Sequence, residues 1–342
     1  MLKSKALKKT VFKLTSANGT SGNESEAAQL ALSMLQKYMP AHIDALGSVC
    51  GETEGDGVHI LLDAHIDRIG MAVTAIDDSG FVKFARVGGI DARVLAAEQV
   101  TVWGDKPLFG VIVSTPPHLS SGEDDKKAKK LDELSIDVGM TAEEVRKLVR
   151  PGMRITVNSA PKELAGGRVC CAALDDRAGV ASILRCLELL EGKEHGCKIS
   201  VLFSSQEETG GSGAAAGGFA AAPDEAIAVD VSFAAAPGLK KEKCGELGKG
   251  AMIGFSPSLD YSMSRTLERL ADENGILRQC EVMSGSTGTN ADEIQISGSG
   301  VKMGLLSIPL RNMHTAAEII DLDDVEAVAE LMAAYIIERG RA

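Results

Sequence analysis

Apolar positions recur every three or four residues between 24 and 39, where Ala27, Leu30, Ala31, Met34, Leu35 and Tyr38 share one face. That spacing predicts a helix over 24–39, with Ser21 and Asn23 as its candidate caps. The mainly apolar stretch of residues 58–64, Val-His-Ile-Leu-Leu-Asp-Ala, predicts a strand, which leads into His65-Ile66-Asp67. From about residue 71 to 160 the pattern changes. Short β-rich pieces (FVKFARV, EQVTVWG, LFGVIVS, LSIDVG, RITV) alternate with Gly, Pro and Asp, as in a small barrel or sandwich. One short helix interrupts them, marked by the capping box of Thr141 and Glu144. Beyond residue 170 the pattern predicts a helix over 177–190, strands over 198–204, 226–233 and 301–308, and a last helix over 323–339 ending at Gly340.

Alternating strands and helices imply an α/β fold whose mainly parallel sheet is covered on both faces. The run 58–67 reads as a strand of that same sheet. Residues 1–70 and 161–342 then form one discontinuous α/β domain, and 71–160 is an inserted β-rich, barrel-like domain. A length of 342 residues suits two domains. The charged run GEDDKKAKK (122–130) reads as a solvated loop.

Composition adds exclusions. A net charge of −12 argues against a nucleic-acid or anionic-membrane partner, which would want a basic patch. No apolar run approaches the roughly 20 residues that span a bilayer. The basic start, MLKSKALKKTVFKL, lacks the apolar core and small-residue cleavage site of a secretory signal. Seven cysteines at irregular spacing form neither a disulfide framework nor a C-x-x-C metal site, which fits a cytoplasmic protein. The glycine-rich stretches 210–218 and 245–250 do not match a phosphate loop and read as tight turns.

The chemistry gathers where strands end. Sites in open α/β sheets form outside the carboxyl ends of strands. There the sequence places His65 and Asp67, Asp175 and Asp176, Glu207 and Glu208, Asp230, and Arg311 and His314. A lone histidine is more often a satisfied core residue, an adjacent glutamate pair is usually solvated, and an aspartate before a helix is usually a cap. Ligand-type side chains at all five predicted strand ends, among strongly apolar neighbours, are harder to read that way. Two imidazoles and several carboxylates without thiolate suit Zn²⁺, Co²⁺ or Mn²⁺, and there are more ligands than one open tetrahedral site needs. Two ions are therefore expected, with one of the paired glutamates binding metal and its neighbour facing the water as general base. A strand would point Glu207 and Glu208 to opposite faces, so the turn after Gln206 has to bring both inward. Asp67 is the right type to hold the His65 imidazole in one tautomer.

The motifs AHIDRIG (64–70), ALDDRAG (173–179), QEETGGSGA (206–214), VDVSFA (229–234) and SIPLRNMHTAAE (307–318) resemble the M42 aminopeptidases. The likeness runs over nearly the whole chain, through PPHL (116–119) and LSIDVGMTAEE (134–144). It implies a catalytic domain of the dinuclear zinc-peptidase type. His65, Asp175, Glu208, Asp230 and His314 would be the metal ligands and Asp175 the bridge between two ions. Glu207 would be the general base and Asp67 the partner of His65. The inserted domain would serve dimerisation, with dimers assembling into a hollow dodecamer, and the substrates would be peptides cleaved from the amino terminus. The chain departs from the family at Arg68, where a Glu is usual, and at Asn290, where many members carry Asp. It departs again at Asn312 and Ala316, near the last histidine. A charge reversal at 68 would alter substrate preference if it lay near the cleft. Two other readings remain: a related dinuclear-metal deacylase or carboxypeptidase, and a non-catalytic assembly protein retaining the fold. A glycosidase is disfavoured, because a single Trp and 4% aromatic residues leave little to stack on sugar rings.

Overall fold

The structure, a computed structural model, describes residues 2–116 and 129–341. Most of the charged run 122–130 and of the PPHL motif lies outside the described residues. The chain opens with α1 (Leu2–Ser16), α2 (Ser25–Leu35), β1 (Ala41–Ile43), β2 (Val49–Glu52) and β3 (His59–His65). Next come β4 (Gly70–Ile76), β5 (Val82–Val87), β6 (Gln99–Trp103), β7 (Pro107–Val113), β8 (Ser135–Asp137), α3 (Ala142–Leu148) and β9 (Arg154–Val157). They are followed by β10 (Lys162–Glu163), β11 (Arg168–Cys171), α4 (Leu174–Leu190), β12 (Lys198–Ser204), α5 (Ser212–Ala221) and β13 (Glu225–Phe233). The chain ends with β14 (Ala251–Phe255), α6 (Tyr261–Asn274), β15 (Arg278–Val282), α7 (Asn290–Gln295), β16 (Lys302–Leu310), β17 (Glu318–Asp321) and α8 (Leu322–Arg339).

Eight strands form one mixed sheet in the order β1-β2-β12-β3-β13-β16-β14-β15. Its centre, β12-β3-β13-β16, is parallel, so these strands end on the same side of the molecule. Antiparallel pairing is confined to β1-β2-β12 at one edge and to β14 against β16 near the other. The fold is thus α/β with a parallel centre. The strands β4 to β9 close a separate antiparallel barrel around its own core, which includes Met71, Val100, Ile112, Ile136 and Ile155. The capping box of Thr141 and Glu144 starts α3, as the sequence predicts.

Alternation along β3 explains the layering. Ile60, Leu62 and Ala64 face the larger core beneath α1, α4 and α8. Leu61 faces the opposite core with Leu202, Ala228 and Leu305, under α5 and α7. That second face changes character along the strand, because Leu61 is followed by Asp63 and then His65, all buried.

One element went unpredicted, and two local expectations need correction. Residues 2–16 are helical, and Leu7, Val11 and Leu14 on one face of α1 are buried in the main core. Neither Ser21 nor Asn23 caps α2: the cap position is Glu24, whose carboxylate instead accepts from the Gly22 amide at 2.7 Å. The strand before Asp175 does not belong to the main sheet. β11 pairs antiparallel with β10 and β17 in a small three-stranded sheet, so Asp175 reaches the strand ends from the side.

Candidate metal centre

The local backbone turns each side chain inward. His65 is the last residue of β3, and Ser204 ends β12 in register beside it. Gln206 takes a left-handed conformation (φ 59°) and starts a single turn over Glu207–Thr209. That reversal presents both glutamates to one place, which a continuing strand could not do. Left-handed Ala173 (φ 61°) precedes Asp175 by two residues, and His314 is itself left-handed (φ 63°). Non-glycine residues in this region are held there only by their surroundings, and here they crowd around one cluster.

The six polar groups then converge. His65 Nε2 lies 3.0 Å from Asp175 Oδ1 and 3.9 Å from both Asp230 Oδ1 and Glu207 Oε2. His314 Nε2 lies 3.3 Å from Asp175 Oδ2 and 3.3 Å from Glu208 Oε2. Two groups of ligand atoms result, His65/Asp175/Asp230 and Asp175/Glu208/His314, each within 4.8 Å and both using Asp175. The two oxygens of Asp175 face different histidines.

Hydrogen bonds behind the cluster fix its orientation. His65 Nδ1 faces the Asp67 carbonyl at 3.1 Å and its carboxylate at 3.4 Å, which leaves Nε2 for the cluster. The Asp67 carboxylate also accepts from the amides of Glu207 (3.0 Å) and Glu208 (3.1 Å), so one buried aspartate holds an imidazole and the glutamate turn together. His314 Nδ1 meets the Gly89 carbonyl of the barrel at 3.2 Å. A Cβ at Gly89 would come within 2.5 Å of that imidazole, so the approach requires glycine. Glu318 is buried and accepts from His314 N (3.0 Å), Leu174 N (2.8 Å) and Asp175 N (3.3 Å), tying two ligand-bearing segments with one carboxylate.

Asp176, Asp230, Glu207 and Glu208 share a small volume in which the described residues place no lysine or arginine within ion-pair distance. Burial pushes Asp230 well above the carboxylate range; His65 opposes the shift, and Glu207 and Asp175 add to it. Burial raises Glu207 to about 7, against the pull of His65 and with the repulsion of Glu208 and Asp175. Burial opposes the charge on His314, yet its bonds to Asp175 and Glu208 raise it to about 11. Burial likewise opposes His65, and Asp175 and Asp67 overcome it. In the metal-free cluster, protons stand where cations are wanted, and a divalent ion would displace them. The donor set fits such ions. Tetrahedral Zn²⁺ bonds of ~2.1 Å place neighbouring ligand atoms ~3.4 Å apart, within the 3.0–3.9 Å spread of this cluster. Glu208 Oε1 is buried with no hydrogen-bond partner, an acceptor that a cation there would satisfy.

Asp175, Glu207, Glu208, Asp230 and His314 of the cluster line a cleft of about 1020 Å³. Comparison with known proteins decides the family: a model for M42 glutamyl aminopeptidase matches residues 47–331. The chain belongs to the M42 family. It is 33% identical to a lysyl aminopeptidase of Pyrococcus furiosus over 302 residues, 86% of each chain. Among solved structures, the aminopeptidase APDkam598 of the archaeon Desulfurococcus kamchatkensis superposes with a TM-score of 0.92 at 32% identity, covering 98% of this chain and 95% of that one. The Pyrococcus horikoshii TET1 peptidase, described as assembling into a tetrahedron or a large octahedral shell, gives 0.86 at 32% identity, over 97% and 99%. The protein is therefore a peptidase, and M42 peptidases are metal-dependent.

Within this M42 chain, none of the four departures, Arg68, Asn290, Asn312 and Ala316, lines the cleft. Arg68 is buried on the far side of His314, where burial lowers its pKa and the charges of Glu318 and Glu208 oppose that shift. The Asn290 amide lies beneath the sheet end and donates to Asp63 (2.9 Å) and Ser204 (2.7 Å).

Proposed function

We propose that this M42 enzyme removes residues from the free amino terminus of peptides, using two divalent ions held by His65, Asp175 and Asp230 and by Asp175, Glu208 and His314. The observation that carries the reading is the pair of three-residue groups sharing Asp175, with Glu207 beside both. Zn²⁺ or Co²⁺ suits the nitrogen and oxygen donors, with Mn²⁺ also compatible. Bound there, the ions would acidify a water and polarise the scissile carbonyl. Glu207 takes the proton of the attacking water and returns it to the leaving amine. Asp67 keeps His65 Nε2 facing the cluster and fixes the amides of the glutamate turn. Glu318 and Gly89 hold His314 in place.

We divide the chain at residues 71–160, assign that inserted barrel to dimerisation, and expect dimers to build a dodecamer of the kind seen in TET relatives. No described helix is long and apolar enough to cross a membrane. The scattered thiols favour a cytoplasmic location. Several relatives carry aminopeptidase names, and these differ in side chain: lysyl in Pyrococcus furiosus and glutamyl in Lactococcus lactis. The names therefore leave the preferred residue open.

The test is hydrolysis of aminoacyl-anilides and their N-acetylated counterparts by protein stripped of metal and reloaded with Co²⁺ or Zn²⁺. Metal-dependent cleavage confined to free-amine substrates is expected. Cleavage that tolerates the acetyl group would replace this reading with a deacylase or endopeptidase. Sedimentation of the reloaded protein tests the assembly, with a single dodecamer-sized species expected.

A further inference from the structure

We propose that Glu281 selects a basic side chain, lysine or arginine, on the amino-terminal residue of the substrate; this rests on the aminopeptidase reading above. Glu281 lies on β15 in register with Gly254 of β14, so the β14 residue beside it has no side chain to block its path toward β16. Its carboxylate crosses to accept from Ser307 Oγ at 2.9 Å and from Ser232 Oγ. Ser232 follows Asp230 by two residues on β13, and Ser307 is the in-register partner of Asp230 on β16. Both oxygens are thus fixed on the wall of the cleft that the cluster also lines.

Two serine hydroxyls orient this anion but do not neutralise it. Among the described residues no lysine, arginine or histidine nitrogen lies within ion-pair distance of Glu281. Lys243 lines the same cleft, but beside Glu242 and without pairing to Glu281. Phe233, Met252, Met283 and Met313 supply apolar wall, which suits the aliphatic stem of a long cationic side chain. On the aminopeptidase reading the peptide's amino terminus is held at the cluster, so Glu281 is left for another group of the substrate. Alternate residues of a strand lie roughly 6–7 Å apart, about the reach of an extended lysine. Glu281 therefore offers a second anion at side-chain distance from the first.

The experiment compares lysine, norleucine and glutamate anilides on the Co²⁺-loaded wild type and on Glu281→Gln. Norleucine matches the lysine stem without its amine. Wild type should favour lysine over norleucine in kcat/KM by roughly 10- to 100-fold, the range for a charged hydrogen bond, with glutamate slowest. Glu281→Gln should bring the lysine-to-norleucine ratio near one and raise glutamate relative to norleucine. A wild-type ratio near one overturns the proposal, as does a variant that slows all three substrates equally, since that marks an amine anchor or a structural group. Calorimetry on the metal-loaded Glu207→Gln protein separates this from the parent reading. There lysinamide should bind more tightly than norleucinamide, and adding Glu281→Gln should erase the difference. If no anilide is cleaved, the aminopeptidase reading fails. Tighter lysinamide binding would then still uphold the Glu281 pocket, and equal binding would overturn it.

Discussion

β13 carries a buried carboxylate near each end, and the two are treated differently. At its start, Glu225 receives two hydrogen bonds from the Arg339 guanidinium (2.9 and 2.8 Å) and one from the Tyr335 hydroxyl (2.9 Å). Five residues later, Asp230 receives only the Val231 amide at 2.7 Å and faces His65 among other carboxylates. Both lie in the same sheet, almost fully removed from solvent. A buried charge is tolerated when paired and hydrogen-bonded. Glu225 has its counter-charge from the chain and is complete as a structural element. Asp230 has only the His65 imidazole at 3.9 Å, which Asp175 holds more closely at 3.0 Å, and this is why we assign it to a cation that comes from outside.

The largest effect should come from the proton carrier at the incomplete end. Glu207→Gln keeps shape and removes the proposed base, so turnover should fall by roughly 10²–10⁴ while metal content by elemental analysis matches that of the wild type. Near-normal turnover would refute the assigned role. Next comes the clamp behind the ligands. Glu318→Gln cannot accept all three amide bonds, and the ligand segments loosen; affinity for metal should drop by roughly 10- to 100-fold, measured by competition with a chelator. Unchanged affinity would show that packing alone positions Asp175 and His314.

The ends of β13 should also respond to neutralisation with opposite sign in metal-free protein. Asp230→Asn relieves an unpaired carboxylate and should raise stability by about 1 kcal/mol, whereas Glu225→Gln breaks a paired one and should cost about 1–2 kcal/mol. Only Asp230→Asn should alter metal content. Urea denaturation of the two variants measures this, and equal signs would erase the distinction drawn here.

Much of this was legible from sequence, for physical reasons that also explain the omissions. The central strands and the helices α4 and α8 were predictable because each buries a largely apolar run or stripe, and the candidate ligand residues stood out because ionisable groups rarely follow such runs. The basic residues of α1 drew attention to charge, although Leu7, Val11 and Leu14 recur at helical spacing and could have revealed it. Glu318 accepts from the amides of Leu174 and Asp175, and the Gly89 carbonyl meets the His314 ring, across long sequence separations that no local pattern encodes. The placement of β11 depends on its pairing with β17, a contact spanning about 150 residues that periodicity does not register. Gly340 follows α8 but keeps a right-handed φ of −77°, so it ends the helix without the left-handed cap its identity predicts.

Asp324 is the intermediate case between Glu225 and Asp230, with no cation but two backbone donors, Gly248 N at 2.8 Å and Gly250 N at 2.7 Å. Burial pushes its pKa up to about 6 from the ordinary 3.8, outweighing those amides. A carboxyl whose folded pKa is raised keeps its proton longer in the folded state than in the unfolded state. Stability tied to it is therefore present below about pH 4, falls as the pH rises through about 6, and stays lost above. Two units at 1.36 kcal/mol each set a ceiling near 3 kcal/mol, and backbone relaxation reduces the expected change to about 1–2 kcal/mol. Asp324→Asn cannot titrate and gives up one acceptor, so it should be the less stable protein at pH 4, with a deficit that shrinks by that amount at pH 7. Urea titrations of both metal-free proteins at the two pH values isolate the effect, since the metal cluster titrates alike in each. A deficit that grows with pH would mean that the two amides outweigh burial, and would place Asp324 with Glu225 rather than between the two ends of β13.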